Sequence, residues 1–118
     1  GYTLQGNPSP IGGGFTVVNE FNILLVHERI NKIGLTNNEA ELLGLLWALK
    51  EGEVNDEIST DSSVILSWIR RGKTKARKDL IELIQECVKL KKEKNINLIW
   101  EGRDNNLAGR YNEFTLLV

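Results

Sequence analysis

Glu41 is the residue whose placement calls for chemistry. It stands in Thr36–Lys50, TNNEAELLGLLWALK, where Leu42, Leu45, Leu46 and Leu49 recur at helical spacing. Glu41 lies one turn before Leu45 and two before Ala48, so it points toward the face due for burial. A carboxylate there is costly unless it is paired or binds a metal. Two readings stand: an inward acid with a partner, or a residue at the stripe's edge that reaches water or a lysine. Asp61 is the second carboxylate of interest. It directly follows a short strand, Glu57–Thr60, and precedes a helical pattern from Val64 to Arg71. The carboxyl end of a strand entering a helix is where α/β sheets place ligands. The alternative is that Asp61 merely caps the helix. The run 70–78, RRGKTKARK, holds six basic residues and no acid, which suits phosphate contact or a solvated loop. His27, the one histidine, falls on a predicted strand surface rather than in a site.

The elements that must position these residues can be read in order. Residues 1–14, GYTLQGNPSPIGGG, carry turn chemistry rather than a strand or helix, with a flexible tail as the alternative. Phe15–Asn19 and Asn22–His27 are short, aliphatic and β-branched, with a polar break between them, and predict a β-hairpin. Thr36 fits an N-cap with Glu39 three residues on, a capping box, and Gly52 fits the helix end. Gly44 thins the face that carries Glu41 and allows a close backbone approach. A third helix is expected from about Asp79 to Lys94 on Leu80, Leu83, Ile84, Cys87 and Val88, then a strand over Ile96–Trp100 and a short helix from about Asn105. The order is strand, strand, helix, strand, helix, helix, strand, helix. That predicts an α/β fold with a mixed sheet, one antiparallel hairpin and at least one parallel crossover.

Bulk composition narrows the class. The chain has 118 residues, enough for one domain with a core and too few for two. A net charge of −1 provides no global basic field, so any affinity for nucleic acid must come from charge distribution. The single cysteine, Cys87, excludes a disulfide framework and predicts a reducing, cytoplasmic setting. No apolar run approaches the roughly 18–20 residues of a membrane span. The chain contains no methionine and opens on Gly1, which predicts a processed product or a fragment of a longer protein.

Three stretches resemble one family. Gly6–Phe15, GNPSPIGGGF, resembles the glycine-rich GNP stretch that follows the first strand of type 1 ribonucleases H. Thr36–Leu49 resembles that family's TNNxxEL helix, and Ser59–Ser63, STDSS, resembles its STDS strand end. The order and separations agree and the likeness spans nearly the whole chain. The resemblance implies an RNase H-like mixed β-sheet with flanking helices, in one domain over 1–118. It implies metal-dependent endonucleolytic hydrolysis of the RNA strand of RNA–DNA hybrids by a monomer. The family uses four carboxylates to hold two Mg²⁺ ions, with Mn²⁺ as a substitute. Two hard cations about 4 Å apart need converging oxygen ligands.

Residue by residue, Glu41 matches the family's helix Glu and Asp61 its strand-end Asp. Thr36, Asn37, Asn38, Asn7 and Ser63 match positions that contact the hybrid, which is read through 2′-hydroxyls and minor-groove edges. The basic run next to Trp68 falls where some members carry a basic substrate-binding protrusion, here short. Two departures stand out. The family's first Asp would fall directly before Gly1 or on it, so the resemblance places that strand and carboxylate upstream. The run Asn105–Gly109 puts Gly109 where the family has its fourth carboxylate. Glu113, one turn further on the same helical face, is the expected substitute, with Asn112 the alternative and Asp104 weaker. A non-catalytic module of the same fold, binding nucleic acid or a protein, is the competing expectation. A resolvase- or transposase-like nuclease is a third, against which the TNN helix argues.

Overall fold

The computed structural model describes residues 1–102. The elements are β1 (Tyr2–Thr3), β2 (Gly13–Val18), β3 (Leu24–Ile30), α1 (Asn37–Glu51), β4 (Glu57–Thr60), α2 (Ser63–Arg71), α3 (Ile81–Glu93) and β5 (Asn97–Trp100), with a 3-10 turn at Lys78–Leu80 before α3. The helix expected from about Asn105, with Asp104, Gly109, Asn112 and Glu113, lies outside the described residues.

The sheet comes in two pieces. β1, β2 and β3 are antiparallel in that order, and β4 and β5 are parallel. The expected hairpin is β2–β3, with Thr16 opposite His27. Asn19 closes its turn: its side-chain oxygen accepts from the Phe21 and Ile23 amides at 2.9 and 3.0 Å. β3 continues three residues past His27, to Ile30. The parallel crossover is β4–α2–α3–β5, with Glu57 to Thr60 opposite Asn97 to Trp100.

The N-terminal segment differs from both expectations, a turn without a strand and a flexible tail, because it contains the short strand β1. Tyr2 and Thr3 pair with Gly14 and Gly13. Ser9, 1% exposed, gathers the turn behind them. Its hydroxyl oxygen accepts from the Ile11 and Gly12 amides at 3.1 and 2.9 Å, and its hydroxyl donates to the Leu4 carbonyl. Its backbone amide donates to Leu35 at 2.8 Å. One short side chain thus ties together three backbone groups of the turn.

Helix α1 lies at the centre. It packs on β2 and β4 on the sheet side and on α2 and α3 on the other. Its N-cap is Thr36, whose hydroxyl accepts from the Glu39 amide at 3.2 Å. The other half of the capping box is absent, because Glu39's carboxylate is engaged by Lys32 and Arg77 instead. Gly52 ends the helix in extended backbone (φ −65°), not the left-handed conformation of a glycine cap. Lys94 takes over the capping: its ammonium donates to the carbonyls of Leu49, Lys50 and Gly52 at 2.7, 2.6 and 2.8 Å. A cation there also opposes the negative end of the helix dipole. The core joins Leu42, Leu45, Leu46 and Leu49 to Ile65, Trp68, Ile69, Leu80, Ile84, Cys87 and Ile96. Trp68 is therefore core, although the sequence places it beside the basic run.

Two predictions follow from this packing. A Cβ on Gly44 would sit 3.0 Å from the Phe15 Cβ, so α1 rests on β2 through a missing side chain. Gly44→Val should cost roughly 1–3 kcal/mol by overpacking, although helix propensity alone favours valine over glycine. Urea unfolding measures it, and an unchanged midpoint would mean that helix and strand are not in this contact.

Cys87 is fully buried, and burial pushes its thiol from 9.0 up to about 12. The folded chain keeps the thiol proton where the unfolded chain has already released it. Stability therefore falls as pH rises through that window, at up to about 1.4 kcal/mol per pH unit from this group. Cys87→Ala should flatten the loss between pH 9 and pH 11 relative to the parent chain, measured by unfolding at each pH. An identical slope would place the thiol in water.

Candidate functional site

Glu41 points inward. It stands on the α1 face that carries Gly44, Leu45 and Ala48, and all four line one cleft of about 640 Å³. Its side chain is 21% exposed. The Thr60 hydroxyl donates to its Oε1 at 2.8 Å, and the Gly1 amino group pairs with its Oε2. The reading in which it reaches a lysine or bulk water from the stripe's edge is thus replaced. The helix-to-sheet contact at Gly44 turns this face toward β4.

Asp61 reaches the same cleft from the end of β4. It is not the helix cap. Ser62 is, accepting from the Ile65 amide at 3.1 Å. Asp61's backbone is held from β5, where the Trp100 indole donates to its carbonyl at 3.1 Å. Thr60 connects the two carboxylates: its hydroxyl fixes Glu41, and its next residue is Asp61. Thr60 is 3% exposed, and its carbonyl accepts from the Glu101 amide at 2.9 Å. Glu101 also lines the cleft, at the end of β5. Among the described residues the charged side chains on its wall are all acidic, with Glu20, Glu51, Asp56 and Glu57 beyond the three already named. Two strand edges without a partner among the described residues, that of β2 over Phe15–Val18 and that of β4 away from β5, both border it.

Carboxylate and hydroxyl oxygens are the hard donors that Mg²⁺ requires, although the Gly1 ammonium already occupies one oxygen of Glu41. The set is incomplete among the described residues, where no three His, Cys, Asp or Glu side chains group closely enough to hold an ion. Thr60 and Glu101 were not singled out by sequence reasoning. A buried threonine directly before Asp61 was the available signal for the first. Glu101 had only its place one residue past the last strand.

The start of α1 gathers the polar residues. The Asn37 amide donates to the Asn7 side-chain oxygen at 3.1 Å, so the glycine-rich turn sits against the helix start. The Thr3 hydroxyl donates to Asn37 Oδ1 at 2.8 Å, which leaves the Asn37 NH₂ as the end that can donate outward. Asn38, the next residue, is half-buried. Thr36 is already committed: besides capping, its hydroxyl oxygen accepts from Arg77 Nη1 at 2.7 Å. Ser63 lies apart from this group. It opens α2 and borders a second hollow, of about 590 Å³, with Ser67, Arg71, Lys73 and Lys75. His27 stays on the sheet surface, with ring nitrogens hydrogen-bonded to Tyr2 Oη at 3.0 Å and Thr16 Oγ1 at 2.9 Å. Burial raises the Tyr2 phenol's pKa, with Arg29 pulling the other way.

No family model and no curated protein matches the chain. Among solved structures it is similar to the N-terminal RNase H domain of Rv2228c from Mycobacterium tuberculosis, solved as a fusion with maltose-binding protein. The TM-score is 0.67 at 25% sequence identity, over 92% of this chain and 87% of that one. Among the described residues no helix is long and apolar enough to cross a membrane. The chain has an RNase H-like α/β fold.

Proposed function

We propose that this protein is a ribonuclease H that hydrolyses the RNA strand of RNA–DNA hybrids, endonucleolytically, as a monomer, with Mg²⁺ or Mn²⁺. The observation that carries the reading is that Glu41 and Asp61, from different elements, border one acidic cleft in an RNase H-like fold. Bound there, a pair of dications would supply Lewis-acid stabilisation to the attacking and leaving oxygens. The chain's own part is positional. Thr60 holds one oxygen of Glu41 and so aims the other. Trp100 holds the Asp61 backbone. Asn37, one turn before Glu41 on α1, has its NH₂ left to donate, and a 2′-hydroxyl can accept it. Arg71, Lys73 and Lys75 border the second hollow and suit the phosphates flanking the cut.

Within this chain the further ligand is Glu113, in place of the family carboxylate at Gly109. Glycine at 109 also favours a second reading, in which the chain binds hybrids without cutting them.

Cleavage of a labelled hybrid should require Mg²⁺ or Mn²⁺ and stop in excess chelator. Glu41→Gln and Asp61→Asn should each lower the rate by about 100-fold or more, because a neutral amide offsets no cation charge. Binding without cleavage under any metal would establish the second reading; activity in chelator would end the first. Glu113→Gln should slow cleavage, and Gly109→Asp should restore it in that background. Full rate in Glu113→Gln would remove Glu113 from the ligand set.

A further inference from the structure

Arg77 belongs to the basic run, yet its charge is already spent. Its Nη2 donates to Glu39 Oε1 at 2.9 Å and to Asp79 Oδ2 at 2.8 Å. Its Nε donates to Asp79 Oδ1 at 3.0 Å and its Nη1 to Thr36 Oγ1 at 2.7 Å. Glu39 is 4% exposed and takes a second cation, Lys32, at 2.5 Å. A buried acid held by two cations breaks badly when either is lost. The other basic residues differ: Arg70, Arg71, Lys73, Lys75 and Lys78 are all exposed.

We propose that Arg77 is not a phosphate contact but a positioning residue. Its guanidinium pins the 73–78 segment to the start of α1 through Glu39 and Thr36, so that the exposed lysines sit on a loop tied to the helix turn that bears Asn37. This rests on the hybrid-binding reading above, and gives one binding surface from two elements. A loop already held in place loses less entropy on binding. The planar fork is needed, because three acceptor side chains are met at once and an ammonium cannot reproduce that geometry.

The sign of one substitution separates the two roles. Glu39→Gln removes a negative charge beside the run. If Arg77 served phosphate, release from Glu39 would tighten hybrid binding; a broken clamp weakens it, by roughly three- to tenfold. Salt titration gives a second readout. Arg77→Met and Arg77→Lys should both weaken binding with the salt slope unchanged, whereas Lys75→Met should lower the slope by about one. Amide hydrogen exchange over 73–79 without nucleic acid should be faster in Glu39→Gln and Arg77→Met, with the rest of the chain protected as in the parent. Tighter binding by Glu39→Gln, rescue by Arg77→Lys, a slope lowered by about one in Arg77→Met, or unchanged exchange would each overturn the proposal. If the parent chain binds no hybrid, the hybrid-binding reading fails, while the exchange experiment still decides whether the clamp exists.

Discussion

The close approach of α1 to β2 at Gly44 is the constraint on which the rest depends. Helix α1 is buried on two sides, against the strands and against α2 and α3. A helix covered on both sides cannot be amphipathic in the simple sense, and Leu42, Leu45, Leu46 and Leu49 are all inside. Only Gly44 lets the helix settle on Phe15 without displacing it. With the helix at that depth, Glu41 faces the end of β4 rather than solvent. Its carboxylate meets Thr60, whose neighbour is Asp61. The candidate site is thus a consequence of how far one helix sinks onto one strand.

Charge is partitioned around α2. Before its first turn lies the acidic cleft, and in its last turn the basic run begins. A net charge of −1 conceals this separation. A polyanion spanning both would meet cations at one end and oxygen ligands at the other. On the proposed ribonuclease reading, those carboxylates would repel phosphate unless dications intervened, which would tie substrate affinity at the cleft to metal occupancy. The Arg77 network is the exception in the basic run. Asp79 accepts two of its hydrogen bonds, which hold that carboxyl below the usual carboxylate range.

What the sequence determined by itself was local. Thr36 as a cap, the hairpin around Asn19, the apolar stripe of α1 and the Asp at a strand end all follow from residues within a few positions of one another. Their hydrogen bonds close over short spans, so propensity and periodicity reveal them. Tertiary structure alone decided the rest, because the partners are distant. Lys94 caps a helix whose last carbonyls lie more than 40 residues earlier, and Arg77 reaches Glu39 across 38. Glu39 looked like half of a capping box, and was drawn away because a buried carboxylate gains more from two cations than from a backbone amide. The N-terminal glycines and prolines left a flexible tail open beside the turn reading because the ordering group, Ser9, is one small residue whose burial no pattern announces. Glu41's inward aim was legible as an anomaly in the stripe. That its partner is Thr60 depended on the depth of α1 against the sheet, which a periodicity does not encode.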